Sequence, residues 1–137
     1  MRHILASVGL SLALALAAIP VATAQDANSA PEWMQQTFPE KAIKSAMAEL
    51  QEIEGPGALD VKTKALIGRA VAAQIPCDYC VYYHTKVAKA HGASDAQIKE
   101  AIASAALTRK WSTVLNGSNY DMQSFRKQVN AMVAASN

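Results

Sequence analysis

Apolar and polar positions along this chain never settle into the strict alternation of a half-buried strand. They fall instead into runs bounded by residues that start and stop helices. The first run, Pro39 to Glu54, is broken by Gly55-Pro56-Gly57. Asp60 stands where an N-cap should precede the second, Val61 to Ile75. The third, Cys77 to His91, is followed by Gly92, in the place after a helix end that favours a left-handed residue. Ser94-Asp95-Ala96-Gln97 matches a capping box and opens a helix predicted to reach about Val114. Asn116-Gly117 ends it, and Tyr120 to Ala135 reads as a last amphipathic helix. The predicted fold class is therefore all-α, a compact multi-helix domain.

One predicted helix departs from the amphipathic pattern. Between Ala65 and Ile75 only Arg69 and Gln74 are strongly polar, so this helix needs cover on several sides. The small residues of Ala101 to Leu107 suit close packing against it. Two readings stay open: a buried core helix in a monomer, or a helix that also lines a subunit interface in a homo-oligomer.

The N-terminus sets the expected compartment. Arg2 supplies a positive charge, Ile4 to Ile19 are apolar apart from Ser7, Gly9 and Ser11, and Ala22-Thr23-Ala24 has the small-residue pattern of a signal-peptidase site. Pro20 closes an apolar run of about 16 residues, short of the roughly 20 that a spanning helix needs. Residues 1–24 are thus expected to be a signal peptide, cleaved between Ala24 and Gln25, giving a periplasmic or secreted protein. Residues 25–38 read as a leader segment and 39–137 as the helical domain. The whole chain carries 13 basic and 11 acidic side chains, and loss of Arg2 leaves 12 basic ones. So balanced a charge gives no field to attract nucleic acid or an anionic membrane.

The candidate chemistry lies in Pro76-Cys77-Asp78-Tyr79-Cys80-Val81-Tyr82-Tyr83-His84, which holds both cysteines of the chain. On a helix, positions 77, 80 and 84 fall at about 0°, 300° and 340°, so two sulfurs and an imidazole share one stripe. Cys77 would sit near the positive end of the helix dipole, where a thiolate is favoured. This pattern suits a dithiol/disulfide centre with His84 moving protons. A disulfide serving only as a staple would close a loop of about four residues and stabilise by roughly 2 kcal/mol, little reason for two cysteines. A zinc site would need His91 as well, but on one straight helix it lies about 21 Å from Cys77, so subunit or solvent ligands would have to complete it. Inert burial of both cysteines fits poorly beside Asp78, Tyr79 and His84. His91 itself suits the last helical turn, and Tyr82 and Tyr83 are expected to pack with a hydrogen-bonded tip.

These residues together resemble a known family. Leu59 to Ile67, Ala70-Val71-Ala72, Cys77-x-Tyr79-Cys80, His84, Gly92-Ala93 and Ile98-x-Glu100-Ala101-Ile102 are similar to the carboxymuconolactone decarboxylase superfamily. The CxxC with a histidine four residues on resembles its alkylhydroperoxidase D-like branch. The resemblance covers roughly Lys41 to Gly117. It implies an all-helical fold assembling as trimers or larger rings, and a peroxide-reducing or thiol-disulfide activity without a cofactor. Carried over by position, Cys80 is attacked by peroxide, Cys77 resolves the product as a disulfide, and His84 serves the proton relay. Tyr79 fills the variable place before the second cysteine. From the residues alone either sulfur could attack, since the dipole favours Cys77 and the i to i+4 spacing puts His84 beside Cys80. The implied partners are a hydroperoxide or disulfide substrate and an electron donor of unspecified identity. One position departs from the family pattern. The glutamate expected twelve residues before the first cysteine is Ala65, which leaves His84 without a carboxylate unless Asp78 substitutes. A binding module that has lost catalysis at Ala65, and a decarboxylase-type enzyme, are the alternatives.

Overall fold

The computed structural model describes residues 30–136, so the predicted signal peptide and residues 25–29 of the leader lie outside the described residues. Six helices and no strand are present among them, in agreement with the all-α expectation. They are α1 (Glu32–Thr37), α2 (Glu40–Glu54), α3 (Val61–Gln74), α4 (Asp78–Ala90), α5 (Asp95–Gly117) and α6 (Met122–Ala135).

Two compact units divide the chain at Lys44, within α2. In the first, α1 follows Pro31, a residue suited to helix starts, and Gln35 Nε2 donates to the Ala30 carbonyl at 2.7 Å. Ala30, Met34 and Ile43 are its buried residues. The sequence pattern did not predict α1: six residues carry less than two turns of periodicity.

The second unit holds the rest of α2 and helices α3 to α6. Local chemistry fixes its helix ends as the sequence suggests. The Asp60 carboxylate accepts the Thr63 N–H at 2.8 Å, and this bond holds its pKa below the ordinary aspartate value. Ser94 and Gln97 form the reciprocal capping box, and Gly92 takes φ 83°, open to glycine without cost. The C-terminal limits moved. Helix α5 runs on to Gly117, and α6 begins only after Asp121, whose carboxylate caps Ser124 N–H at 2.8 Å.

Helix α3 is the centre of this unit and packs on both α4 and α5. Ala65, Ala88, Ala93 and Ile98 form the buried cluster, flanked by Leu66, Val87 and Ile102. Alanines at 65 and 88 let the helix backbones approach closely, and both are fully buried. Further along, Gln74 ties α3 to α5: its Nε2 donates to the Ala105 carbonyl at 2.8 Å, and its Oε1 accepts from Arg109 Nε at 2.9 Å. The expected partnership of α3 with the Ala101 to Leu107 segment is therefore present. The remaining side of α3 is uncovered, with Ile67, Val71 and Ile75 each at least half exposed.

Candidate functional site

Cys77 and Cys80 form a disulfide. Cys77 is not a residue of the helix, as the wheel assumed, but its N-cap in extended conformation, with Asp78 opening α4. Its Sγ accepts the Cys80 N–H at 3.2 Å, so this sulfur takes the place of a capping oxygen at the positive end of α4. The pair stays together because a residue at the N-cap and one in the first turn face each other across that turn.

Cys80 and His84, one turn apart on α4, both line an open groove of about 360 Å³. The opposite wall is apolar: Ile67, Val71, Ala72 and Ile75 come from α3, with Ile53 and Leu59 from the segment before it. Glu54, Lys64 and Gly68 complete the lining. A groove with one sulfur and one imidazole on an otherwise greasy wall can receive an apolar group and present it to a polar reacting centre.

His84 does have a carboxylate neighbour, which corrects the expectation drawn from Ala65. Glu54, the last residue of α2, brings Oε2 to 4.0 Å from His84 Nδ1. Both side chains are largely withdrawn from solvent, 15% and 24% exposed for histidine and glutamate. Neither Glu54 Oε2 nor His84 Nδ1 has a hydrogen-bond partner. The Tyr83 ring meets the imidazole edge to face, with centroids 5.1 Å apart. Burial, and then the negative charge of Glu54, raises the pKa of the Tyr83 phenol above 10.0.

Other predicted residues stand apart. Asp78 is exposed in the first turn of α4, where the dipole accounts for it, and it pairs with neither sulfur nor His84. Tyr79 is 91% exposed and does not line the groove. Tyr82 is mainly exposed too, its ring beneath Lys86 Nζ at 5.4 Å, so the expectation that it packs fails within this chain. His91 is the C-cap of α4, as its place before Gly92 suggested.

Glu54 is the residue that sequence reasoning missed. The available signal was Gly55-Pro56-Gly57, the break that turns the chain at Glu54 and leads it back into α3. Ala65, the family's carboxylate position, is wholly buried in the α3/α4/α5 cluster and does not line the groove.

Residues 41–120 match the carboxymuconolactone decarboxylase family. A 46-residue stretch is 50% identical to "Uncharacterized protein 4 in cox locus" of Paracoccus denitrificans, covering 34% of this chain and 41% of that protein. The match thus spans about two fifths of the relative's length. No solved structure matches the chain. The family match extends over more than half of the sequence, and the chain belongs to the carboxymuconolactone decarboxylase family.

Proposed function

We propose that this member of the family is an exported thiol-disulfide oxidoreductase that reduces hydroperoxides, with Cys80, Cys77 and His84 as its reacting groups. The observation that carries the reading is the Cys77–Cys80 disulfide, with Cys80 opening onto an apolar groove it shares with His84 and Glu54.

In the reduced protein His84 takes the Cys80 thiol proton, and Glu54 stabilises the imidazolium that results. The Cys80 thiolate attacks the terminal peroxide oxygen and the O–O bond breaks. This leaves a sulfenic acid on Cys80 and an alkoxide that recovers the proton from His84. The Cys77 thiol then attacks the Cys80 sulfur, expelling water and forming the disulfide observed between them. An external dithiol restores the reduced state: its thiolate attacks Cys77 Sγ, Cys80 leaves as thiolate, and the donor's second thiol releases Cys77. The two electrons given to peroxide come from that donor.

Position supports this division of labour. Cys80 faces the groove beside the base, whereas the Cys77 sulfur is engaged with the first turn of α4. The apolar wall favours hydroperoxides with a hydrocarbon group over hydrogen peroxide. Self-association fits the half-exposed stripe Ile67, Val71 and Ile75.

Peroxide consumption by the prereduced protein, with free thiols counted before and after, tests the reading. One disulfide should form per peroxide consumed. After peroxide treatment, Cys77→Ser should carry a sulfenic acid trapped by a dimedone-type probe and Cys80→Ser should not. Thiols that persist in excess peroxide would reject the proposal, and the reverse labelling pattern would reassign the nucleophile.

A further inference from the structure

Glu54 Oε2 and His84 Nδ1 face each other at 4.0 Å, too far for a hydrogen bond, and neither has another partner. Their mutual placement is therefore set by something other than the bond between them. The surroundings offer two devices, both on α3.

The first is Gly68. A Cβ placed there would overlap the Cε1 and Nδ1 atoms of the His84 ring and stand 2.6 Å from Nε2. The imidazole thus lies directly against the α3 backbone, on a site that any side chain would occupy. Glycine in the middle of a helix is a poor helix former, so its presence within α3 calls for a reason, and the ring supplies one. The second is Lys64, one turn earlier on α3. Its Nζ donates to the carbonyls of Ile53 and Gly55, both at 2.7 Å, and so grips the backbone on either side of Glu54. A cation at this point also suits the negative end of α2.

We propose that Lys64 and Gly68 are positioning residues that together hold the acid–base pair, Lys64 clasping the chain end that bears Glu54 and Gly68 seating the His84 ring. They stand four residues apart, on one face of a helix that the core holds through the fully buried Ala65. A single stripe of α3 thereby fixes two groups 30 residues apart in the sequence. The inference rests on the proposed role of His84 for its consequence in catalysis, but the seat and the clasp are features of the fold that can be read without any turnover.

The test uses the mature protein with Gly68→Ala, Lys64→Met and Lys64→Arg, and with Ala73→Gly as a matched control. Ala73 is an exposed α3 residue outside the groove, so its replacement weakens the helix without touching His84. Two readouts are taken: the pH profile for reduction of the disulfide by dithiothreitol, and the NMR signals of the His84 ring, including its proximity to the Gly68 α-protons. Gly68→Ala should displace the ring signals and lower the maximal rate by about tenfold or more, a modest loss for a mispositioned acid–base group. Lys64→Met should alter the profile, and Lys64→Arg should restore most of it. Ala73→Gly should lose thermal stability and keep both readouts. Wild-type ring signals and profiles in Gly68→Ala and Lys64→Met would overturn the proposal. Should Gly68→Ala not fold, equal signals and rates in the two Lys64 variants and wild type would overturn it alone. If His84→Gln reduces as fast as wild type, the functional reading fails, while the NMR signals still decide whether the seat and clasp exist.

Discussion

Replacing Glu54 by glutamine keeps the shape of the side chain and deletes its charge. The size of the effect follows from the 4.0 Å separation from His84 Nδ1. Two unit charges at that distance interact by about 1 kcal/mol in bulk water and about 4 kcal/mol at the effective dielectric near a protein surface. With His84 15% and Glu54 24% exposed, the pair lies between these limits. A value of about 2 kcal/mol corresponds to roughly a 30-fold change in rate for any step in which His84 is doubly protonated. Glu54→Gln should therefore slow both peroxide reduction by the dithiol form and reduction of the disulfide by dithiothreitol. Stopped-flow measurement at low and high salt, in a double-mutant cycle with His84→Gln, isolates the coupling. The Tyr83 phenol gives an independent signal. Its ionisation lies above 10.0 because of burial first and the Glu54 charge second, so Glu54→Gln should bring it partway back and no further. Rates within twofold of wild type, or strictly additive losses in the cycle, would refute the idea that the carboxylate acts through His84.

Ala65→Glu, the repair that the family pattern suggests, should instead destabilise the fold by about 3 kcal/mol or more, because that site is wholly buried among α3, α4 and α5. Thermal unfolding checks this, and a folded, faster peroxidase would contradict it. Asp60→Ala should lower the unfolding temperature at neutral pH. The folded carboxylate ionises below the unfolded 3.8, so its contribution is present above that value and fades as pH falls through the lower folded one. The gap between variant and wild type should accordingly close in acid. Light scattering at micromolar concentration should find more than one copy per particle, and a charged residue at Val71 should dissociate it, since that half-exposed side chain sits in the apolar stripe of α3.

What was legible in the sequence was chiefly local. Asp60, Ser94 with Gln97, and Gly92 each act on backbone within four residues, so their types announce helix ends directly. The disulfide partners and His84 were legible for the same reason, being neighbours on one turn or the next. Wheel arithmetic nevertheless placed Cys77 inside a helix whose first residue is Asp78, since such arithmetic carries no information about where the helix begins. Glu54 was illegible because its meeting with His84 spans 30 positions and depends on the course of the chain through Gly55-Pro56-Gly57. Tyr82 misled because aromatic residues are buried on average, and only the packing of α4 against α3 decides which of its faces meets solvent.

The sulfur that caps α4 makes the first turn of that helix a reporter of oxidation state. The Cys80 amide donates to Cys77 Sγ while that atom is half of a disulfide and so a weak, neutral acceptor. Reduction frees the same atom to hold negative charge whenever Cys77 gives up its proton to act as the resolving thiolate, a far better acceptor at the end of a helix dipole. Electrons arriving at the pair thus tighten the backbone where they land, and the amide of Cys80 should exchange its hydrogen with solvent more slowly in the reduced protein than in the oxidised one.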